Sequence, residues 1–387
     1  MHPVRRSLIA MVTAMGLLGV CVTAYASTAR PAAVLADDVT AMPYAVEDFT
    51  HDLQAATGPL RVVTWNMCGD AGGARGEAGY CPRRNFPAEK VKALTDLVAR
   101  HKANVIMLQE ACGYTQGQSD PAPNPQLSHM RLLDEALPDD WQLVHAPGTR
   151  EDGTKNCRAG TEPGLTGPFV GGEIGVLLAV KGGFTQPQII ETLPRGLRAE
   201  DFTSLPTGYP QLPAEESGTV LTDAIEKLDR RKSPVLCVRP NAWAEKLCTS
   251  HLSAGQKEKK FPEIIRTMQA RLIRDELSTD FRNGIVFGGD LNARGDSPTL
   301  EGISGGLDRC ATDPALHTHQ TWRGATPSAY TLDHVFTGRD AGHRFTDCLV
   351  DQSLMDMTQQ TPGTQPTTGV SDHAPVIAYL GAPGRSL

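Results

Sequence analysis

Apolar residues arrive in short runs, and most of the runs end on a polar side chain. Residues 60–66, Leu-Arg-Val-Val-Thr-Trp-Asn, read as a strand that stops at Asn66, and residues 105–109 as a short buried strand running into Glu110. The same pattern predicts strands over 174–180, 285–287, 331–336 and 374–380, and a hairpin of 235–238 with 246–251 around Pro240-Asn241. Val91, Leu94, Leu97 and Val98 lie at helical spacing within residues 86–101, and residues 128–137 can form a second helix. A third helix carries Phe261, Ile264, Ile265, Met268 and Leu272 on one face, with Pro262 tolerated in its first turn. Residues 193–228 are broken by Pro194, Pro206, Pro210 and Pro213 and read as a loop-rich excursion, not a second core. Strands and helices mix without strict alternation, which by pattern alone predicts a single α/β or α+β domain.

The first 26 residues break this pattern. Arg5 and Arg6 precede an apolar run over 8–22, and Ala24-Tyr25-Ala26 forms a small-x-small cleavage site. This predicts a signal peptide cleaved near Ala26 and a secreted chain, extracellular or periplasmic. Val20 stands before Cys21 where lipidation wants a small residue, and the run is short for a transmembrane segment. No later stretch is long and apolar enough to be one. Residues 27–59, rich in Ala, Thr and Asp without a period, read as a linker or pro-like segment ahead of a domain over 60–387.

Composition narrows the classes. Hydrophobic residues at 40% and charged residues at 21%, with 38 Gly and 28 Pro and no repeat, exclude collagen, coiled coil and bulk disorder. The chain carries a formal −7; without residues 1–26 it loses two arginines and no acid, leaving 35 basic against 44 acidic residues, or −9. No global basic field is available to hold a polyanion. Eight cysteines then remain with no CxxC pair, which favours disulfides over zinc in an oxidising compartment. Cys237 and Cys248, on the two arms of the hairpin, are predicted to be bridged. Cys310 with Cys348 is the next choice, and Cys68 is open to Cys81 or Cys112.

The polar strand ends are Asn66, Glu110, His251, Asp290 with Asn292, Asp333, and Asp372-His373. Singly, each reads as a turn former, a cap or a satisfied histidine. Together they supply what hydrolysis of a phosphate ester needs. Carboxylates without cysteine suit a hard divalent cation, histidines move protons near neutral pH, and asparagine amides can hold phosphoryl oxygens without adding charge.

Thr64-Trp65-Asn66, Leu108-Gln109-Glu110, Thr249-Ser250-His251-Leu252, Gly289-Asp290-Leu291-Asn292-Ala293, Leu332-Asp333-His334 and Ser371-Asp372-His373-Ala374-Pro375-Val376 resemble, in one collinear order, the endonuclease/exonuclease/phosphatase superfamily, whose type is deoxyribonuclease I-like. The resemblance implies a four-layer αββα sandwich of two mixed β-sheets with flanking helices, the site lying at one edge. It implies Glu110 as the principal metal ligand, with Asn66, Asp372 and, for a second metal, Asp290 in support; the cation would be Mg2+, with Mn2+ or Ca2+ as alternatives. Asp290 and Asn292 would orient water and phosphate, and His373, steered by Asp333, would be the general acid/base. The water-activating role stays open between Asp290 and His373. His251 would bind phosphate or protonate the leaving oxygen, and Glu173 stands where the nuclease branch places a glutamate that orients that histidine. A turn residue is the competing reading of Glu173. Arg294, two residues past Asn292, is a candidate for touching substrate.

Other features read as ordinary surface. His317-Thr318-His319 has a metal-like spacing but a loop setting and no third ligand nearby. Lys257-Glu258-Lys259-Lys260 and Arg230-Arg231-Lys232 read as solvated charge ahead of phosphate-tracking patches. The leading expectation is a monomeric, secreted, metal-dependent phosphodiesterase of nuclease type acting on nucleic acid, since two histidines suit a diester with a poor alkoxide leaving group. The alternatives are a phosphomonoesterase or sphingomyelinase-like lipid hydrolase, and a non-catalytic binding or toxin component. Only Phe202, Leu205, Tyr209 and Leu212 within 193–213 could serve as a membrane foot, and all the motif positions are filled.

Overall fold

A computed structural model describes residues 58–69, 80–115, 124–157, 170–203, 205–255, 260–323, 326–339, 342–359 and 368–381. The expected signal peptide, residues 27–57 of the expected linker, and Lys257-Glu258-Lys259 lie outside them. In chain order the strands are β1 (Leu60–Asn66), β2 (Val105–Gly113), β3 (Trp141–Pro147), β4 (Glu173–Lys181), β5 (Phe184–Glu191), β6 (Pro234–Pro240), β7 (Lys246–His251), β8 (Ile285–Asp290), β9 (Leu307–Arg309), β10 (His319–Arg323), β11 (Thr326–Tyr330), β12 (Asp333–Gly338), β13 (Arg344–Val350) and β14 (Val376–Gly381). The helices are α1 (Pro87–His101), α2 (His129–Ala136), α3 (Thr219–Arg230), α4 (Lys260–Glu276), α5 (Ser278–Asn283) and α6 (Pro298–Ser304).

Two six-stranded mixed sheets form the middle of the fold, ordered β13-β14-β1-β2-β4-β3 and β5-β6-β7-β8-β12-β9, with β10-β11 as a separate hairpin. Side-chain parity explains the layers. Val62, Val105, Met107, Val176 and Leu178 point into the seam between the sheets, where they meet Leu236, Val238, Leu247, Val286 and Val335. Val63, Trp65, Ile106, Leu108 and Leu177 point outward onto Val91, Leu94 and Leu97 of α1 and Leu133 of α2. Cys248, Ile285, Phe287 and Phe336 point outward from the other sheet onto Ala270, Ile273, Phe281 and Ile303 of α4, α5 and α6. Strands buried on both faces read as continuous apolar runs, which is why their ends were legible. The result is the expected α/β sandwich with helices outside.

Two readings need correction. Residues 193–228 are not merely loop: α3 lies within them, and Leu193, Phe202, Leu221, Ile225 and Leu228 form a satellite cluster on Ile264 and Ile265 of α4. Helix α4 is therefore covered from two sides. It buries Ile264, Ile265, Ala270 and Ile273, while Phe261, Met268 and Leu272 are only partly covered. Polar residues share its buried face because each has a partner: the Arg266 guanidinium donates to Ser253 O, and the Gln269 amide joins Ser253 N to Thr192 Oγ1. The hydrophobic pattern does not count such residues.

Four disulfides are formed, Cys68–Cys81, Cys112–Cys157, Cys237–Cys248 and Cys310–Cys348. Cys237 and Cys248 face each other directly across β6 and β7, as expected of the hairpin. Cys310–Cys348 joins the end of β9 to β13, and so staples one sheet to the other.

Candidate active site

Both sheets have a parallel pair at their centre, β1 with β2 and β7 with β8. The β1 and β2 ends therefore lie together, as do the β7 and β8 ends, and the Asn66–Asp290 hydrogen bond puts both pairs at one edge of the sandwich. Asn66 continues the inward parity of Val62 and Thr64, and His251 that of Leu247 and Thr249. Asp290 lies opposite His251 in the register and opposite Asp333 at the start of antiparallel β12. Asp372 and His373 precede β14, which pairs with β1. Polar side chains at the strand ends are thus delivered to the mouth of the seam by the alternation that fills its floor with valine and leucine.

Glu110 is out of step. Gln109 has the inward parity, so a regular strand would turn Glu110 toward the helices. The β2–β4 ladder slips between Leu108 and Ala111, and Glu110 sits at φ 48°, a left-handed conformation that costs a non-glycine residue of order 1 kcal/mol or more. This bulge aims its carboxylate inward. Asn292 at φ 50° turns back over the site in the same way, in a region asparagine tolerates better. Gly289 is required for a different reason: a Cβ there would stand 2.0 Å from Ser250 O on the adjacent parallel strand.

The side chains interlock. Asn66 Nδ2 donates to Glu110 Oε1 at 3.2 Å and to Asp290 Oδ2 at 3.0 Å, while its Oδ1 accepts from Cys68 N at 2.7 Å. Asp290 Oδ1 accepts from Asn292 N at 2.8 Å. His251 Nε2 and His373 Nε2 lie 3.5 and 3.6 Å from Asp290 Oδ2. Asn292 Nδ2 donates to Leu252 O and lies 3.1 Å from His251 Nε2, fixing that ring. His373 Nδ1 contacts Asp333 Oδ2 at 2.8 Å. Ser371 Oγ donates to Asn66 O and accepts from His373 N, and Trp65 Nε1 donates to His373 O, so the Ser-Asp-His segment is sewn to the end of β1.

Charge follows from this packing. Burial alone would lower the His373 pKa, but Asp333, Asp290 and Asp372 together push it up to about 10. Burial pushes Asp333 up against the pull of His373, with Asp290 adding to the rise, so the pair keeps its proton well above neutral pH. Asp290 goes the other way: burial raises it, yet His373, His251, the Asn292 N–H and the Asn66 amide outweigh that and hold it below the usual carboxylate range. Asp372 is raised by burial, opposed by His373 and by Lys90.

The expected residues come together with one exception. Glu173 does not hold His251: its buried carboxylate is engaged by Lys155 Nζ at 2.6 Å, and the partners of His251 are Asn292, Asp290 and Glu110. That expectation is corrected, since Glu173 pairs with Gly113 along the β2–β4 ladder and serves a different neighbour. Arg294 is exposed and lies over the Tyr330 ring, 4.1 Å from its centroid.

Other contributors were not read from the sequence. His319 is not a solvated loop residue; its ring lies 4.6 Å from that of His373, and its Nε2 is 4.0 Å from Asp372 Oδ2. Thr318 Oγ1 accepts from the Leu332 and Asp333 amides and so sets the start of β12. His334, held near pKa 4 by burial, places Nε2 2.9 Å from Ala293 O and anchors the turn after Asn292. Gln109, fully buried, donates to Thr64 Oγ1 and Thr249 Oγ1 and links the sheets beneath the site. Its signal was present as a polar residue at an inward position of an apolar strand.

The donor set fits a hard cation. Glu110, Asp290, Asp333 and Asp372 converge on one edge, and Asp372 Oδ1 is buried without a hydrogen-bond partner among the described residues. Two groups bring ligand atoms within 4.8 Å of one another, Asp290 with Asp333 and His373, and His319 with Asp372 and His373. An edge with this many carboxylates repels a phosphate unless a cation accompanies it.

Among solved structures, the chain is similar to a family protein from Leptotrichia buccalis C-1013-b at 13% identity and TM-score 0.47, covering 83% of this chain and 99% of that one. A mannosyl-6-phosphatase of Bacteroides thetaiotaomicron aligns at 12% identity and TM-score 0.49, covering 83% and 99%. D. rerio TDP2 complexed with single strand DNA product aligns at 13% and 0.46, covering 84% and 99%. No curated protein sequence matches the chain significantly. The family model matches residues 63–373, a span that includes every strand-end residue from Asn66 to His373, and the chain belongs to the Endonuclease/Exonuclease/phosphatase family.

Proposed function

We propose that the protein is a secreted, divalent-metal-dependent phosphodiesterase of nuclease type. The observation that carries this reading is the pair of imidazoles, His251 and His373, both with Nε2 within 3.6 Å of Asp290 Oδ2. One proton-transfer group suffices for a good leaving group; two suit a diester whose leaving alkoxide must be protonated as water attacks. In the proposed step the P–O bond to the leaving alkoxide breaks as the bond to water oxygen forms. The water's proton passes to the ionised Asp290 carboxylate, which the protonated His373 faces, and the leaving oxygen takes a proton from His251. Asn66 and Asn292 hold the carboxylate and imidazole that flank the phosphate. A divalent cation held by Glu110 and Asp372, with Asp290 beside them, would neutralise the phosphoryl oxygens and lower the pKa of bound water. Secretion is supported by the leader-like first 26 residues and accords with the four disulfides.

The test is hydrolysis of bis(p-nitrophenyl) phosphate by residues 27–387 after metal stripping. Chelated protein should be inactive, and Mg2+, Mn2+ or Ca2+ should restore turnover. Glu110→Gln should raise the cation concentration needed and lower the rate, with little change in melting temperature. Full turnover in chelator, or activity on p-nitrophenyl phosphate alone, would overturn the reading.

A further inference from the structure

The strongest unassigned feature is a cleft of about 580 Å3 that opens beside His251 and runs between residues 148–152 and the end of α3. Five cations line it, Arg150, Lys227, Arg230, Arg231 and Lys232, against two acids, Glu151 and Asp152. On a chain that is net negative this is a local reversal of sign. The two acids offset it only in part. Asp152 Oδ1 is occupied by Thr154 N and Oγ1, and Glu151 stands 3.9 Å from Arg231.

An ordinary account of basic residues at this place is that they serve the C-terminal carbonyls of α3. Those carbonyls are already taken. The Arg195 guanidinium donates to Leu228 O, Asp229 O and Arg231 O. Arg230 is paired with Glu226, whereas Lys227 and Lys232 form no ion pair among the described residues. The walls are fixed: Thr149 and Lys232 exchange backbone hydrogen bonds, Thr149 Oγ1 donates to Arg230 O, and Arg230 Nε donates to Glu151 O.

Position relates this charge to the reaction. In the β6–β7 ladder Val235 faces Ser250, which sets Pro234 opposite His251; Ser233 Oγ donates to His251 O. Lys232 is two residues beyond Pro234, about 7 Å along an extended chain. We propose that this cleft is a subsite for the phosphate next to the scissile one on a polynucleotide strand, with Lys227 and Lys232 as its specificity-determining residues. The proposal rests on the nuclease reading above and sharpens it. A substrate that places a quaternary ammonium headgroup here would be repelled, whereas a repeating anion gains a contact at each cation.

The probe is a fluorescein-labelled, short single-stranded DNA with cleavage-resistant phosphorothioate linkages, measured by anisotropy in fixed Mg2+ across a salt series. Lys227→Ala/Lys232→Ala should bind at least tenfold more weakly than wild type at low salt. The slope of log affinity against log salt should fall by about 0.7 for each lysine removed. Lys92→Ala, which removes an exposed cation of α1, should bind as wild type. With metal present, the double variant's kcat/KM should fall at least tenfold more on the oligonucleotide than on bis(p-nitrophenyl) phosphate. Equal affinity of variant and wild type, no binding by wild type, or a loss confined to phosphatidylserine vesicles would each overturn the subsite. DNA that is bound through the lysines but not cut would leave the subsite standing and refute the nuclease reading; DNA cut equally well by the variant would do the reverse.

Discussion

An imidazole beside a phosphate is useful in one tautomer and one plane, and at His373 both are set by Asp333 at 2.8 Å. The two residues should therefore act as one unit. His373→Ala is expected to lower kcat about a thousandfold. Asp333→Asn should lower it about a hundredfold, and the double substitution should be barely worse than His373→Ala alone. A mutant cycle on kcat with parallel thermal melts checks this; multiplicative losses with a depressed melting point would make Asp333 only a strand-start residue. At this scale the sequence was informative about which residues gather, because each ends or begins a strand whose apolar run is plain. It said little about who touches whom. Glu173 had the right neighbours in sequence and a different partner in space, Lys155. His319 looked like loop, yet lies against His373, because residues 319–322 belong to a mostly half-buried hairpin strand with no apolar alternation to announce it.

Among the elements, the strands buried on both faces were legible and the edges were not. β13 carries mostly exposed residues, and Gln186 in β5 sits at φ 52° beside a register shift, so neither shows a clean period. α3 has Leu221, Ile225 and Leu228 at helical spacing, but follows four prolines that disguise it. A buried pair clasps the sheets at the end away from the site: Glu245, just before β7, meets His343, just before β13, at 2.6 Å. Burial raises the Glu245 pKa, but the His343 hydrogen bond and charge more than reverse this and hold it below its ordinary value. A lowered carboxylate pKa means stability that is present above the unfolded value and lost as pH falls through the folded one. His343→Leu leaves Glu245 buried and unpaired, at a cost of about 3–5 kcal/mol near neutral pH. The gap from wild type should narrow only as pH falls below the ordinary glutamate range, where the lowered wild-type carboxyl at last protonates as the variant's unpaired one already has. Urea melts across that range check it, and a gap that does not change with pH would dissolve the clasp.

For the molecule as a whole, mean charge and local charge point in opposite directions, and the substrate proposed above would meet only the local one. The formal −7 counts residues over the entire surface, while the cleft beside His251 is lined by five cations and two acids. Composition was therefore silent on this local reversal of charge where it was reliable about the class of fold. The sandwich is held at several places along its length, by the Glu245–His343 clasp, the Cys310–Cys348 staple and the Gln109 amide between Thr64 and Thr249. The last of these has a kinetic consequence. A separation of the sheets beneath the site too small to admit water would strand the Gln109 amide and two threonine hydroxyls at once, so small breathing motions there are disfavoured and the seam should open only with the whole domain. Native-state hydrogen exchange reports this directly. The amides of Thr64, Gln109 and Thr249 should exchange with the free energy of global unfolding, and Gln109→Leu, which keeps the volume but leaves both threonine hydroxyls unpaired, should release them into a separate, faster class.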